Sequence, residues 1–186
     1  MPAVFLDRDG TINDKVATGQ YVVSAAELRL LPGASGAIRR LNDAGLRVVV
    51  VTNQRGVARG HMTMPDVDAV HQALTKELET VGARIDAIYV CPHDECSCQC
   101  RKPLPGLLLQ AAAEHPGLDL AQSVMVGDSE SDVECAHAAG ARAVLIGPPG
   151  TASSADVVCS DLASAVDHVI ATFLSGPSLQ PGDRVV

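Results

Sequence analysis

Two aspartates two residues apart, Asp7 and Asp9 in "DRDGT", close the first apolar run of the chain, and Asp128 and Asp132 in "GDSESD" follow a later one. Along extended backbone the spacing of Asp7 and Asp9 points both side chains the same way. Carboxylates gathered at one place repel unless a cation lies between them. An oxygen-rich set of this kind suits Mg²⁺, which keeps waters and shares the oxygens of a phosphate. Thr52 and Asn53 add hydrogen-bond donors, and Lys102, followed by Pro103, adds a positive charge. A nucleophile, a cation clamp and donors for equatorial oxygens are the parts that phosphoryl transfer needs. One Asp-x-Asp is weak on its own, because Asp is common in turns after strands.

A second group is "CPHDECSCQC", residues 91–100, which holds four of the six cysteines of the chain and one histidine. Three thiolates and an imidazole make a closed tetrahedral zinc site. Cys91, His93, Cys98 and Cys100 supply that set. Cys96 with Cys98 would serve as an alternative to Cys98 with Cys100, and the later pair is preferred because it abuts "RKP". A closed site has no position for substrate, so the zinc is expected to be structural and to brace the loop that carries Arg101 and Lys102. Cys135 and Cys159 lie on apolar stretches and are expected in the core. Asp94 and Glu95 read as a solvated loop. His61, His71, His115, His137 and His168 have no partner motif and read as surface or helix residues.

These residues must be positioned by something. Apolar runs at 3–6, 46–52, 85–91, 123–128 and 141–147 read as strands buried on both faces, hence a parallel sheet. Helical patterns fill the gaps at about 34–44, 65–81, 105–114, 130–139 and 161–174. Gly45 is a C-terminal stop for the first, and Thr63 with Pro65 opens the second. Alternating strand and helix predicts an α/β, doubly wound parallel sheet with right-handed crossovers. Ligands of such sheets bind beyond the C-terminal strand ends, which is where the polar segments fall. One domain over residues 1–174 is expected, with the Gly-, Pro- and Ser-rich segment 175–186 as a fraying tail.

The chain has 186 residues and a net charge of −8, which argues against a nucleic-acid surface. No apolar run approaches the ~20 residues of a membrane span. "MPAVFLDRDG" is no signal peptide. A cytoplasmic monomer without membrane or nucleic-acid partners is expected, in a compartment where clustered thiols favour metal over disulfides.

"DRDGT", "TN", "RKP" and "GDSESD", in this order and at strand ends, resemble the four motifs of the haloacid dehalogenase (HAD)-type phosphatases, over about residues 3–147. The resemblance implies a Rossmann-like fold, with Asp7 as nucleophile and Asp9 as general acid/base. It implies that Thr52 and Lys102 hold the phosphoryl group, and that Asp7, Asp128 and the Asp9 carbonyl bind Mg²⁺. Asp132 and Ser129 would support that shell. "CPH…CQCRKP" with "TNQRGVARG" is similar to the zinc-containing branch, which has short loops in place of a large cap domain. Members of this branch act on heptose bisphosphate or histidinol phosphate. The resemblance thus implies a small phosphorylated sugar as substrate, bound through Asn53, Gln54, Arg55, Arg59, Arg101 and Lys102. The leading expectation is release of the 7-phosphate of a heptose 1,7-bisphosphate, and histidinol phosphate is the alternative. Arg55 and Ser129 depart from the branch pattern. Arg55 meets a second phosphate, where guanidinium binds bidentately, or faces solvent at a loop tip. A zinc-braced interaction module without catalysis is a third reading, opposed by the presence of Asp7, Asp9, Lys102 and Asp128 together.

Overall fold

The structure, a computed structural model, describes residues 1–17 and 20–174; the segment 175–186, expected to fray, lies outside the described residues. Six strands form one sheet: β1 (Ala3–Leu6), β2 (Arg47–Asn53), β3 (Ala87–Cys91), β4 (Val124–Gly127), β5 (Arg142–Ile146) and β6 (Val157–Cys159). The helices are α1 (Ala34–Asp43), α2 (Met64–Glu79), α3 (Gly106–Glu114), α4 (Glu130–Ala138) and α5 (Leu162–Leu174). The five expected strands and five expected helices are present, with ends within two residues of expectation. β6 is an addition. Its three residues are too short a run to separate from a loop by composition.

Every strand pair is parallel, in the order β3-β2-β1-β4-β5-β6. The chain moves outward from β1 to β3, then returns to the other side of β1 and moves outward again. Crossovers of one hand therefore put helices on opposite faces for the two halves. Val4, Leu6, Val48, Val50 and Val126 face α1, α2 and α5. Phe5, Val49, Val51, Met125 and Leu145 face α3 and α4. Strict alternation along doubly buried strands explains why their sequences are unbroken apolar runs. Cys135 is fully buried, as expected, and Cys159 packs half-buried at the end of β6.

This winding fixes where the site lies. The order reverses between β1 and β4, and the crevice at such a switch point, beyond the carboxyl ends, is where these sheets bind ligands. Asp7 follows β1 and Asp128 follows β4. Among the described residues, no helix is long and apolar enough to cross a membrane.

One contact ties the cysteine segment to this frame. Gly106 opens α3 so close to the preceding loop that a Cβ there would stand 2.2 Å from the Gln99 carbonyl oxygen and 2.7 Å from Cys100 Cα. Backbone on both sides leaves little room to yield. Gly106→Ala is expected to cost about 1–3 kcal/mol of stability, read as a lower urea midpoint at unchanged slope.

Candidate active site

The chain turns directly after β1. Asp7 stays near the sheet, its N–H donating to the Val126 carbonyl of β4 at 3.0 Å. Gly10 takes a φ of +93°, and a Cβ there would fall 2.3 Å from Asp128 Oδ2. Only glycine fits both the left-handed backbone and the close approach. The turn is thereby pressed against the end of β4. Asp7, Asp128 and Asp132 each offer a carboxylate oxygen, and the three oxygens lie within 4.8 Å of one another.

Lys102 enters this cluster from the loop after β3 and is 4% exposed. Its Nζ donates to Asp7 Oδ1 at 2.6 Å and to the Val51 carbonyl at 3.0 Å. It also pairs with Asp132 Oδ1 at 2.6 Å. Burial alone would lower Lys102, but Asp7 and Asp132 raise it, so the ammonium is retained. Asp7 is raised to about 7: burial pushes it up, Lys102 opposes, and Asp132 and Asp9 push it further. One ammonium shared by two buried carboxylates cannot neutralise both. The donor set is hard oxygen with surplus negative charge, which fits Mg²⁺. Lys15, an exposed side chain from the loop after β1, reaches Asp128 Oδ2 at 2.5 Å.

Asp9 is held apart from that cluster. Its carboxylate accepts from Arg8 Nη2 at 3.0 and 2.9 Å, Arg8 Nε at 3.2 Å, Asn13 Nδ2 at 2.9 Å and Gln54 Nε2 at 2.8 Å. Burial would raise Asp9, but the Arg8 charge and these hydrogen bonds hold it below the usual carboxylate value of 3.8. Only donors surround it, so the anion is the favoured form. Of the expected cation ligands, Asp9 therefore brings no carboxylate, and any share it has is through its carbonyl oxygen.

Several residues expected at the substrate make contacts within the protein. Asn53 makes two hydrogen bonds to the backbone of Lys102, each 3.1 Å. Gln54, 1% exposed, donates to Thr52 Oγ1 at 2.8 Å as well as to Asp9. Gln54 is buried and Asn53 half-buried, and both amides make hydrogen bonds within the protein. Arg55 pairs with Glu95 and lies 3.8 Å from Asp94, while Arg59 lies 3.4 Å from Asp94. Asp94 and Glu95 are therefore more than a solvated loop, since they tie the segment after β2 to the cysteine segment. Arg101 keeps a buried Nη1 without a hydrogen-bond partner among the described residues. Ser129 and Asp132 form a capping box at the start of α4, with Ser129 Oγ donating to Asp132 Oδ2 at 2.7 Å. Asp132 thereby serves the helix with one oxygen and Lys102 with the other.

Cys91, His93, Cys98 and Cys100 converge. Cys91 Sγ is 3.6 Å from Cys98 Sγ and 3.8 Å from His93 Nδ1, and His93 Nδ1 is 3.3 Å from Cys100 Sγ. A tetrahedral Zn²⁺ with Zn–S of about 2.3 Å and Zn–N of about 2.0 Å needs edges of ~3.5–3.8 Å. The group fits. Burial and hydrogen bonding with Cys91 and Cys98 push Cys100 up to about 12, so these thiols resist ionising together without a cation. Cys96 is exposed and stands outside the cluster.

A family model described as HAD-hydrolase-like matches residues 99–174. A relative from Rhodopseudomonas palustris named D-glycero-beta-D-manno-heptose-1,7-bisphosphate 7-phosphatase is 47% identical over 147 residues, 75% of this chain and 79% of its own. One from Mycobacterium tuberculosis, named as the alpha-anomer 7-phosphatase, is 44% identical over 174 residues, 89% of this chain and 91% of its own. The chain belongs to the HAD-like phosphatases. Among solved structures, D,D-heptose 1,7-bisphosphate phosphatase from B. bronchiseptica, complexed with magnesium and phosphate, is similar at a TM-score of 0.81. It is 35% identical, and the match covers 92% of this chain and 99% of that one.

Within this phosphatase fold, sequence reasoning missed Arg8, Asn13, Lys15 and His71. Arg8 is fully buried and His71 nearly so, and they touch at 3.1 Å. Arg8 had a signal: a charged residue wedged between two site aspartates has no solvent to reach.

Two outcomes are expected. Asn53→Ala should cost about 2 kcal/mol, because two hydrogen bonds to the Lys102 loop vanish. It should lower kcat more than it raises KM, as a scaffold residue would. Asp9 has a folded value below its unfolded one, so its contribution is present above 3.8 and is lost as pH falls through the folded value. The stability gap between the native chain and Asp9→Asn should be full at about pH 6 and should narrow as pH falls below 3.8, as followed by urea midpoints.

Proposed function

We propose that the chain is an Mg²⁺-dependent phosphatase that removes the 7-phosphate of D-glycero-D-manno-heptose 1,7-bisphosphate and leaves the heptose 1-phosphate. The observation that carries this reading is the buried Asp7 with Lys102 on Oδ1, in a chain whose relatives at 44–47% identity bear that activity in their names. Those two relatives differ in the anomer at C1, and the reading covers both.

With Asp7 Oδ1 held by Lys102, Oδ2 is the atom that attacks phosphorus. The bond from phosphorus to the C7 oxygen breaks, and Asp9 delivers a proton to that oxygen. A phosphate dianion beside Asp9 opposes the donors around it and raises its proton affinity. Asp9, now a carboxylate, takes a proton from water as the water attacks the aspartyl-phosphate. Inorganic phosphate leaves and Asp7 is restored. Asp7, Asp128 and the Asp9 carbonyl would hold Mg²⁺, supported by Asp132 and Ser129; the ion supplies charge neutralisation at the phosphate oxygens. Thr52 and Lys102 hold the phosphoryl group. The unpartnered Arg101 Nη1 supports a contact with the substrate's second phosphate. Arg55 and Arg59 would join it only by leaving Asp94 and Glu95. Zn²⁺ on Cys91, His93, Cys98 and Cys100 would be structural and keep Arg101 and Lys102 in place.

The reading further takes the enzyme as a cytoplasmic monomer without nucleic-acid or membrane partners. The net charge of −8 and the unpaired cysteines agree with it.

Phosphate release should favour heptose 1,7-bisphosphate over histidinol phosphate by at least about a hundredfold in kcat/KM, some 2.7 kcal/mol. A preference for histidinol phosphate would overturn the substrate assignment. Asp7→Asn should abolish turnover, and full activity in that variant would remove the nucleophile. Metal analysis should find zinc lost in Cys98→Ser and kept in Cys96→Ser, with chelation lowering Tm.

A further inference from the structure

The imidazole of His71 has no role in the chemistry described so far, yet it occupies a core position. It lies on the buried face of α2 with Val67, Val70, Leu74 and Leu78. The helical period makes this a slot for an apolar side chain. A polar ring there costs free energy unless it is hydrogen-bonded. Its partner is Arg8 Nη1, at 3.1 Å from His71 Nε2.

Arg8 itself is fully buried, and each of its three nitrogens is engaged. Nε and Nη2 donate to Asp9 and Nη1 meets His71. A guanidinium has donors only, so Nε2 of His71 must be the acceptor and the ring proton must sit on Nδ1. Burial first, and then the Arg8 charge, lower His71 to about 4, with Asp9 opposing, so the ring stays uncharged at neutral pH. The helix that carries it is held at its start by a capping box between Thr63 and Asp66 and by Pro65. An ordered line therefore runs from α2 through His71 and Arg8 to both oxygens of Asp9.

We propose that His71 is a positioning residue of the reaction: it accepts a hydrogen bond from Arg8 and so fixes the guanidinium that aims the Asp9 carboxylate. The inference rests on the reading of Asp9 as general acid/base. Proton transfer to the leaving oxygen and from the attacking water both need that carboxylate within hydrogen-bond reach. A buried Arg8 with one end free would pivot and carry Asp9 with it. Misplacement by about 1 Å can cost up to about a hundredfold in rate.

The test compares His71→Leu, which suits the apolar slot and cannot accept, with His71→Gln, which can. The leucine variant should lose about tenfold or more in kcat with KM within about twofold, while glutamine stays within about threefold of the native kcat. Native kcat in a folded His71→Leu, or equal losses in both variants, would overturn the proposal. Asp9→Asn is measured alongside. If Asp9→Asn keeps full activity, the reading of Asp9 fails; if it is inactive while His71→Leu is native-like, only the inference about His71 fails. A second measurement needs no variant: ¹⁵N NMR of the native protein should show the His71 ring with its proton on Nδ1 at about pH 7. A proton on Nε2 would overturn the proposal even if His71→Leu failed to fold.

Discussion

A single ammonium group stands between two buried carboxylates at the carboxyl end of this sheet, and much of the molecule serves to keep it there. Moving charges out of water is costly unless geometry and further hydrogen bonds offset it. Lys102 meets Asp7 and Asp132 at 2.6 Å each and donates a third bond to the Val51 carbonyl. Yet one positive charge cannot balance two negative ones, and Asp128 lies beside them. The surplus is what makes the cluster receptive to a divalent cation. It also explains why Asp7 is raised while Lys102 keeps its proton.

Holding such a group requires support from several elements. Asn53, at the end of β2, grips the Lys102 backbone from one side. The cysteine segment precedes it, and α3 starts against that segment at Gly106 with no room for a side chain. Asp132 is fixed by its capping role at the start of α4, so its other oxygen arrives oriented. The site is thus built on strand and helix ends and on one loop, that of Lys102, tied to them by hydrogen bonds, which is how a constellation is kept within reactive tolerance.

Asp9 lives under a different regime only a few ångströms of chain away. Four donor nitrogens from Arg8, Asn13 and Gln54 surround it, and the network continues inward from Arg8 to His71. Two neighbouring carboxylates are thereby pushed in opposite directions, Asp7 up and Asp9 down. At the mouth, the pairs of Arg55 and Arg59 with Asp94 and Glu95 are solvent-exposed to varying degrees. Exposed ion pairs are worth only about 0–1 kcal/mol, so these contacts can rearrange around a substrate at small cost.

Strand runs, helix periods, the four strand-end motifs and the Cys/His spacing were legible in the sequence, because each is a local pattern. Apolar alternation forces a doubly buried sheet, and "CPH" with "CQC" brings four ligands onto one short segment. Local pattern could not separate Cys96 from Cys98 and Cys100; only the folded loop leaves Cys96 outside. Nor could it show that Asn53 binds the Lys102 backbone, that Gln54 binds Asp9, that Arg55 meets Glu95, or that His71 meets Arg8. Each of those depends on a partner 40 or more residues away, brought together by the winding of the sheet. The sequence by itself determined which residue types could carry the chemistry and on which strand ends they stand. The tertiary structure decided which of them share one another's charge, since that is a matter of distance and burial that no local pattern encodes.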